Sequence, residues 1–167
     1  MDLWRFAREG GLLEGFLPLA EFLRLEDLLL DFEGEIFFRL QGEMASLGAC
    51  GGQKARLSLF ISGELPLVCQ RCLMPVRVKI ALDNRLELVD EESALTREEL
   101  EDEELDFLPV ANGKEGFRSA LELVEDEILL ALPSSPRHDD CSLPEREKTE
   151  APHPFAALAA LKGRVTN

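Results

Sequence analysis

No apolar run in this chain approaches the roughly 18 residues that a membrane-crossing helix needs, so no such helix is expected. An internal repeat, a glycine-rich phosphate loop and a Ser-His-Asp spacing are also missing, which removes the usual sequence signs of a solenoid, a nucleotide-binding fold or a serine hydrolase. Basic residues are scarce. Eighteen Lys and Arg stand against 33 Asp and Glu, a formal net charge of −15. That balance argues against tight, direct binding of nucleic acid through its phosphates. The opening MDLWRFAREGG does not read as a secretory signal. Asp2 and Glu9 sit among its basic residues, and Gly10-Gly11 interrupts it before any long apolar region. The expectation is a cytoplasmic protein with no membrane partner and no small-molecule substrate.

The charge that is present is unevenly placed. Residues 87–106 hold eleven acids and one base, Arg97, whereas residues 34–86 hold seven bases and four acids. A strongly acidic segment therefore follows a mildly basic one. Such a chain suits a protein partner, or an RNA contacted within a complex, better than free RNA. Apolar residues make up 46% of the chain, enough for one core without disulfide staples. With four cysteines and a reducing compartment expected, thiolates are favoured over cystines.

Periodicity divides a single domain, 1–167, into parts. Residues 1–33 read as helical: Leu12, Leu13, Phe16, Leu17 and Leu19 form a dense apolar set broken by Pro18, and Leu25, Leu28 and Leu29 follow at helical spacing. Over 34–89 the period changes to two. Ile36, Phe38 and Leu40, then Leu57, Leu59 and Ile61, then Val76, Val78, Ile80 and Leu82 alternate with polar or exposed positions, the mark of strands with one buried face. Arg56, Arg77 and Lys79 are expected on the water-facing side. Residues 90–116 read as an acidic, mobile surface loop. Residues 117–132 form the clearest helix, with Phe117, Leu121, Val124, Ile128 and Leu132 on one stripe and Pro133 at its end. Glu125, Asp126 and Glu127, three acids in a row, read as a solvated face. Residues 133–167 hold a proline-rich loop and a short terminal helix, PFAALAALKG, which must dock to this core or to a partner. The predicted fold is α+β: an antiparallel β-meander or partial barrel with flanking helices.

The strongest chemical signal is Cys69-Gln70-Arg71-Cys72. Two cysteines two residues apart at a tight turn can place both sulfurs on one cation, and alternating strands flank this turn. His138-Asp139-Asp140-Cys141 supplies an imidazole and a third sulfur. Cys69, Cys72, His138 and Cys141 together would make a closed tetrahedral zinc site, with Cys50 as an alternative ligand. Metal-free packing cysteines and thiol redox chemistry remain open. Redox fits least, because a thioredoxin-type CxxC opens a helix, whereas Pro75 and the alternation Val76, Val78, Ile80 follow this one. Arg71 lies beside the thiolates and would offset their charge. No active site is visible, so no enzyme is expected.

Three stretches carry a family resemblance: VCQRC before a proline-containing strand, LVEDEILLALPSSPRHDDC, and PHPFAALAALK. In this order they resemble the YceD family of large ribosomal RNA subunit accumulation proteins. The matching positions are Cys69, Arg71, Cys72, Glu125, Asp126, Glu127, Pro133, Pro136, His138, Cys141, Pro154, Phe155, Leu158 and Lys162. The resemblance implies a bacterial cytoplasmic protein, with chloroplast relatives, that supports accumulation of large-subunit ribosomal RNA and has no known catalytic residue. It also implies a β-rich core with flanking helices, and partners among ribosomal precursor components, either a ribosomal protein or the RNA itself within a complex. Arg71, Phe155, Leu158, Leu161 and Lys162 are the partner-binding candidates. A protein-binding adaptor without any RNA role is the competing expectation.

Overall fold

Three long strands with strict two-residue alternation dominate the chain, and they build the frame on which everything else is mounted. In the computed structural model, residues 1–47, 52–89, 106–110 and 118–142 are described. The elements run α1 (Leu3–Arg8), β1 (Leu12–Pro18), two 3-10 turns (Leu19–Glu21 and Leu23–Leu25), β2 (Glu35–Leu47), β3 (Gly52–Val68), β4 (Pro75–Val89), β5 (Asp106–Pro109) and α2 (Ala120–Ala131). The strands form one open sheet in the order β1-β2-β3-β4-β5. The first three pairings are antiparallel and β5 joins β4 in parallel. The sheet is therefore mixed, where an antiparallel meander was expected.

Register aligns the apolar positions of neighbouring strands. Leu59 faces Leu40 on one side and Asn84 on the other, and Ile61 faces Phe38 and Leu82. One face of the sheet thus presents Ile36, Leu40, Leu57, Leu59, Ile61, Ile80 and Leu86, all buried. Leu3 and Ala7 of α1, Leu19, Phe22 and Leu25 of the turns, and Leu123, Val124 and Ile128 of α2 cover it. The result is two layers around one core. Backbone comes closest to backbone at Gly42: a Cβ there would lie 2.7 Å from both the Ala7 Cα and the Phe6 carbonyl oxygen. Glycine lets α1 lie directly on β2.

The other sheet face looks outward. Phe16, Phe37 and Phe60 form a row of rings across three strands, with centroids 5.3 and 6.2 Å apart, and the Arg39 guanidinium sits 5.9 Å above Phe37. Arg77 and Lys79 are exposed on this face, as the alternation predicts. Arg56 shares the face but is engaged: Nε and Nη2 both donate to Glu87 at 3.1 Å. Glu87 is buried there, with Lys54 on its other oxygen.

Two parts of the expected layout are corrected. Residues 1–33 are not mainly helical. Only Leu3–Arg8 is an α-helix, and Leu12–Pro18 is an edge strand paired with β2. Gly11 and Gly15 weaken a helix in this stretch, Pro18 needs no ladder donor at the strand's end, and the long β2 offers backbone partners that override local spacing. Within the stretch expected to be a loop, 90–116, residues Asp106–Pro109 form β5. Residues 90–105 and 111–117 lie outside the described residues.

Candidate metal centre

The strands β3 and β4 meet at a turn that the sequence makes tight. Pro75 begins β4, and the six residues between the strands fold back so that the Cys69 N–H donates to the Met74 carbonyl at 2.9 Å and the Leu73 N–H donates to the Cys69 carbonyl at 2.9 Å. Leu73 takes a positive φ of 62°, a left-handed conformation unusual for a leucine. This geometry turns the sulfurs of Cys69 and Cys72 to one side.

The residues that meet them arrive from α2. A capping box at Ser119 and Glu122 starts that helix. The chain then leaves at Leu132 and Pro133 and runs back past the β3–β4 turn. There the Gln70 N–H donates to the Pro136 carbonyl at 2.8 Å, so backbone bonding already holds the two segments together. His138 and Cys141 follow directly.

The outcome is a four-donor cluster. One ligand atom from each of Cys69, Cys72, His138 and Cys141 lies within 4.8 Å of all the others. Cys69 Sγ and Cys141 Sγ are 3.8 Å apart, and Cys72 Sγ is 3.5 Å from His138 Nδ1. A tetrahedral zinc with bonds of about 2.3 Å to sulfur sets neighbouring sulfurs about 3.8 Å apart, so the spacing fits a shared cation. It is far too long for a disulfide, whose sulfurs lie about 2.05 Å apart, and the three cysteines are free thiols.

The electrostatics favour ligation. Burial raises the Cys69 pKa, but the backbone N–H groups of Cys72, Arg71 and His138 point at its sulfur and outweigh burial, holding the thiol at about 5. The Cys141 thiol is pushed up, first by burial and then by the neighbouring Cys69. A cluster of three sulfurs cannot carry three negative charges unaided, so a cation is the natural counter-charge. His138 Nε2 lies 2.8 Å from the Pro75 carbonyl, which can only accept. Nε2 therefore carries a proton, and the hydrogen bond to Cys69, then the Pro75 carbonyl, raise the His138 pKa. A bound cation would displace the second proton and take the Nδ1 lone pair on the side of the sulfurs.

Other predicted positions fall elsewhere. Arg71 is exposed and, with Arg137 and His138, lines a surface pocket of about 460 Å³ beside the cluster. Cys50, Phe155, Leu158, Leu161 and Lys162 lie outside the described residues. The acids Glu125, Asp126 and Glu127 do not form a solvated face. Glu125 is buried and accepts from the Arg24 N–H at 2.7 Å. Asp126 meets Arg24 and, at 3.1 Å, Arg118. Glu127 accepts from Asn84 of β4. These contacts fasten α2 to the second 3-10 turn and to the sheet. The signal was in the spacing: Leu121, Glu125 and Ile128 stand at i, i+4 and i+7, so Glu125 lies on the apolar stripe itself.

Comparison with known proteins adds a family. A family model described as Large ribosomal RNA subunit accumulation protein YceD matches residues 57–162, well over half of the chain and inclusive of all four cluster residues. No solved structure matches the chain. Among the described residues, no helix is long and apolar enough to cross a membrane.

Proposed function

Because the chain belongs to the YceD family of large ribosomal RNA subunit accumulation proteins, we propose that it supports accumulation of large-subunit (23S) ribosomal RNA as a non-enzymatic assembly factor. It acts in the cytoplasm on ribosomal precursor components, and Cys69, Cys72, His138 and Cys141 hold a structural zinc ion. The convergence of those four donors from two distant segments supports the metal part. Four protein ligands complete a tetrahedron and leave no position for water or substrate, the pattern of structural rather than catalytic zinc. The ion would fix the β3–β4 turn against the segment that follows α2. The direct test is depletion of the protein in growing cells. The ratio of large- to small-subunit ribosomal RNA should fall and recover on re-expression; an unchanged ratio contradicts the proposal.

The net charge of −15 favours a second reading, an adaptor that binds proteins and has no RNA role. Affinity purification separates the two. Recovery of ribosomal proteins or precursor RNA supports the assembly factor, and their consistent absence supports the adaptor.

A further inference from the structure

Between β4 and β5 on one side and the second half of α2 on the other lies a groove of about 750 Å³. Leu82, Leu86 and Leu108 of the strands and Leu129 of the helix give it apolar walls. Leu130 stands at its rim with 81% of its surface exposed, the most exposed large apolar residue described. Three carboxylates share this setting: Asp106, Asp126 and Glu127. Asp126 is matched by Arg24 and Arg118, but Glu127 has only the neutral amide of Asn84, and Asp106 pairs with no cation among the described residues. Burial, and then the charges of Asp106 and Asp126, hold the Glu127 carboxyl above the usual range, with Asn84 opposing. The sequence leading into Asp106 adds nine acids and a single base, Arg97, over residues 90–105.

Leucines that want cover and carboxylates that want a cation ask together for an occupant with both properties. Three carboxylates against two arginines, both engaged by Asp126, leave the groove's lining net negative and poorly matched to a phosphate backbone. We propose that this groove docks a basic polypeptide segment bearing apolar residues, its lysine or arginine side chains meeting Asp106 and Glu127 and its apolar residues covering Leu129 and Leu130. The proposal deepens the assembly-factor reading, on which it rests, by making the partner at this surface a protein and not RNA.

The full-length protein can be titrated, by fluorescence anisotropy at physiological salt, against a labelled amphipathic peptide of lysine and leucine at helical spacing. Unlabelled oligolysine of equal charge, a single-stranded RNA oligonucleotide and a peptide of residues 152–167 serve as competitors. The amphipathic peptide should bind at least about tenfold more tightly than oligolysine, and Leu130→Ser and Glu127→Gln should each weaken it by about five- to tenfold. Leu130 is exposed, so its replacement leaves the core intact. No binding would overturn the proposal. So would equal binding of oligolysine with neither variant having an effect, since attraction to the acidic segment would then be generic. Preferential binding of the RNA, or displacement by the 152–167 peptide at lower concentration than by the unlabelled amphipathic peptide, would assign the groove to another occupant. Failure of the parent reading looks different: an unchanged ribosomal RNA ratio on depletion alongside intact, variant-sensitive peptide binding.

Discussion

The imidazole of His138 is held from both ends, by the Pro75 carbonyl at Nε2 and by the Cys72 sulfur 3.5 Å from Nδ1. Its partners lie 63 and 66 positions away, so only the fold brings them together. The spacing of two cysteines around Gln70-Arg71, and of a histidine and cysteine around Asp139-Asp140, made the four members of the cluster legible in the sequence, but the Pro75 carbonyl that orients the imidazole left no mark there. If the cluster binds zinc, metal binding contributes to folding. Cys72→Ser should therefore lower the melting temperature by about 10 °C or more. A strong chelator should do the same to the unaltered protein and have little effect on the variant; scanning calorimetry checks both. Glu127 gives a prediction of opposite kind. Its pKa is raised in the fold, chiefly by burial, so the native state holds that proton more firmly than the unfolded chain does. The linked stability is full below the ordinary carboxylate pKa and is lost as pH rises through the raised value. Glu127→Gln should accordingly raise the urea midpoint at pH 7, with the gain shrinking towards about pH 4. Glu127 is only partly buried, and solvent screening keeps the gain below about 1 kcal/mol. A lower midpoint at pH 7 would mean that the Asn84 bond outweighs the desolvation.

At the scale of elements, α2 is the anchor of the segment that carries His138 and Cys141, and its first turn is well defined. Ser119 accepts from the Glu122 N–H at 3.1 Å, and Glu122 accepts from the Ser119 N–H at 2.8 Å. Ser119→Ala should cost about 1 kcal/mol in chemical denaturation, the usual cost of a lost N-cap. α1 depends on a different detail. Gly42→Ala would press a methyl group onto the backbone of Ala7 and Phe6, which cannot give way as a flexible side chain can. A loss of about 1–3 kcal/mol is expected, read from the same melts. Strands β2, β3 and β4 could be read directly, because alternating residues such as Leu57, Leu59 and Ile61 admit only one face inward. Strand β1 could not. Leu12, Leu13, Phe16 and Leu17 suit a helix as well as an edge strand, and the choice is made by backbone pairing with β2, a long-range term absent from local spacing. Strand β5 is four residues long with acids leading into it, too short to show a period.

At the scale of the molecule, the sheet works as a plate whose two faces differ. The core face carries α1, the 3-10 turns and α2, while the outer face offers the phenylalanine row and exposed cations. The mixture of helices and one sheet could be read from periodicity, but the parallel attachment of β5 could not, since parallel and antiparallel edges leave the same composition. The ribosomal assignment was legible only where the distinctive stretches lie, from Cys69 onward. The candidate metal cluster joins two separate parts of this design, the β3–β4 turn and the segment beyond α2. Its occupancy is best measured by elemental analysis together with X-ray absorption at the zinc edge, on full-length protein purified without chelator. One zinc per chain is expected, surrounded by three sulfurs at about 2.3 Å and one nitrogen at about 2.0 Å. A metal-free protein with reduced thiols, or a zinc shell of nitrogen and oxygen alone, would contradict the clamp.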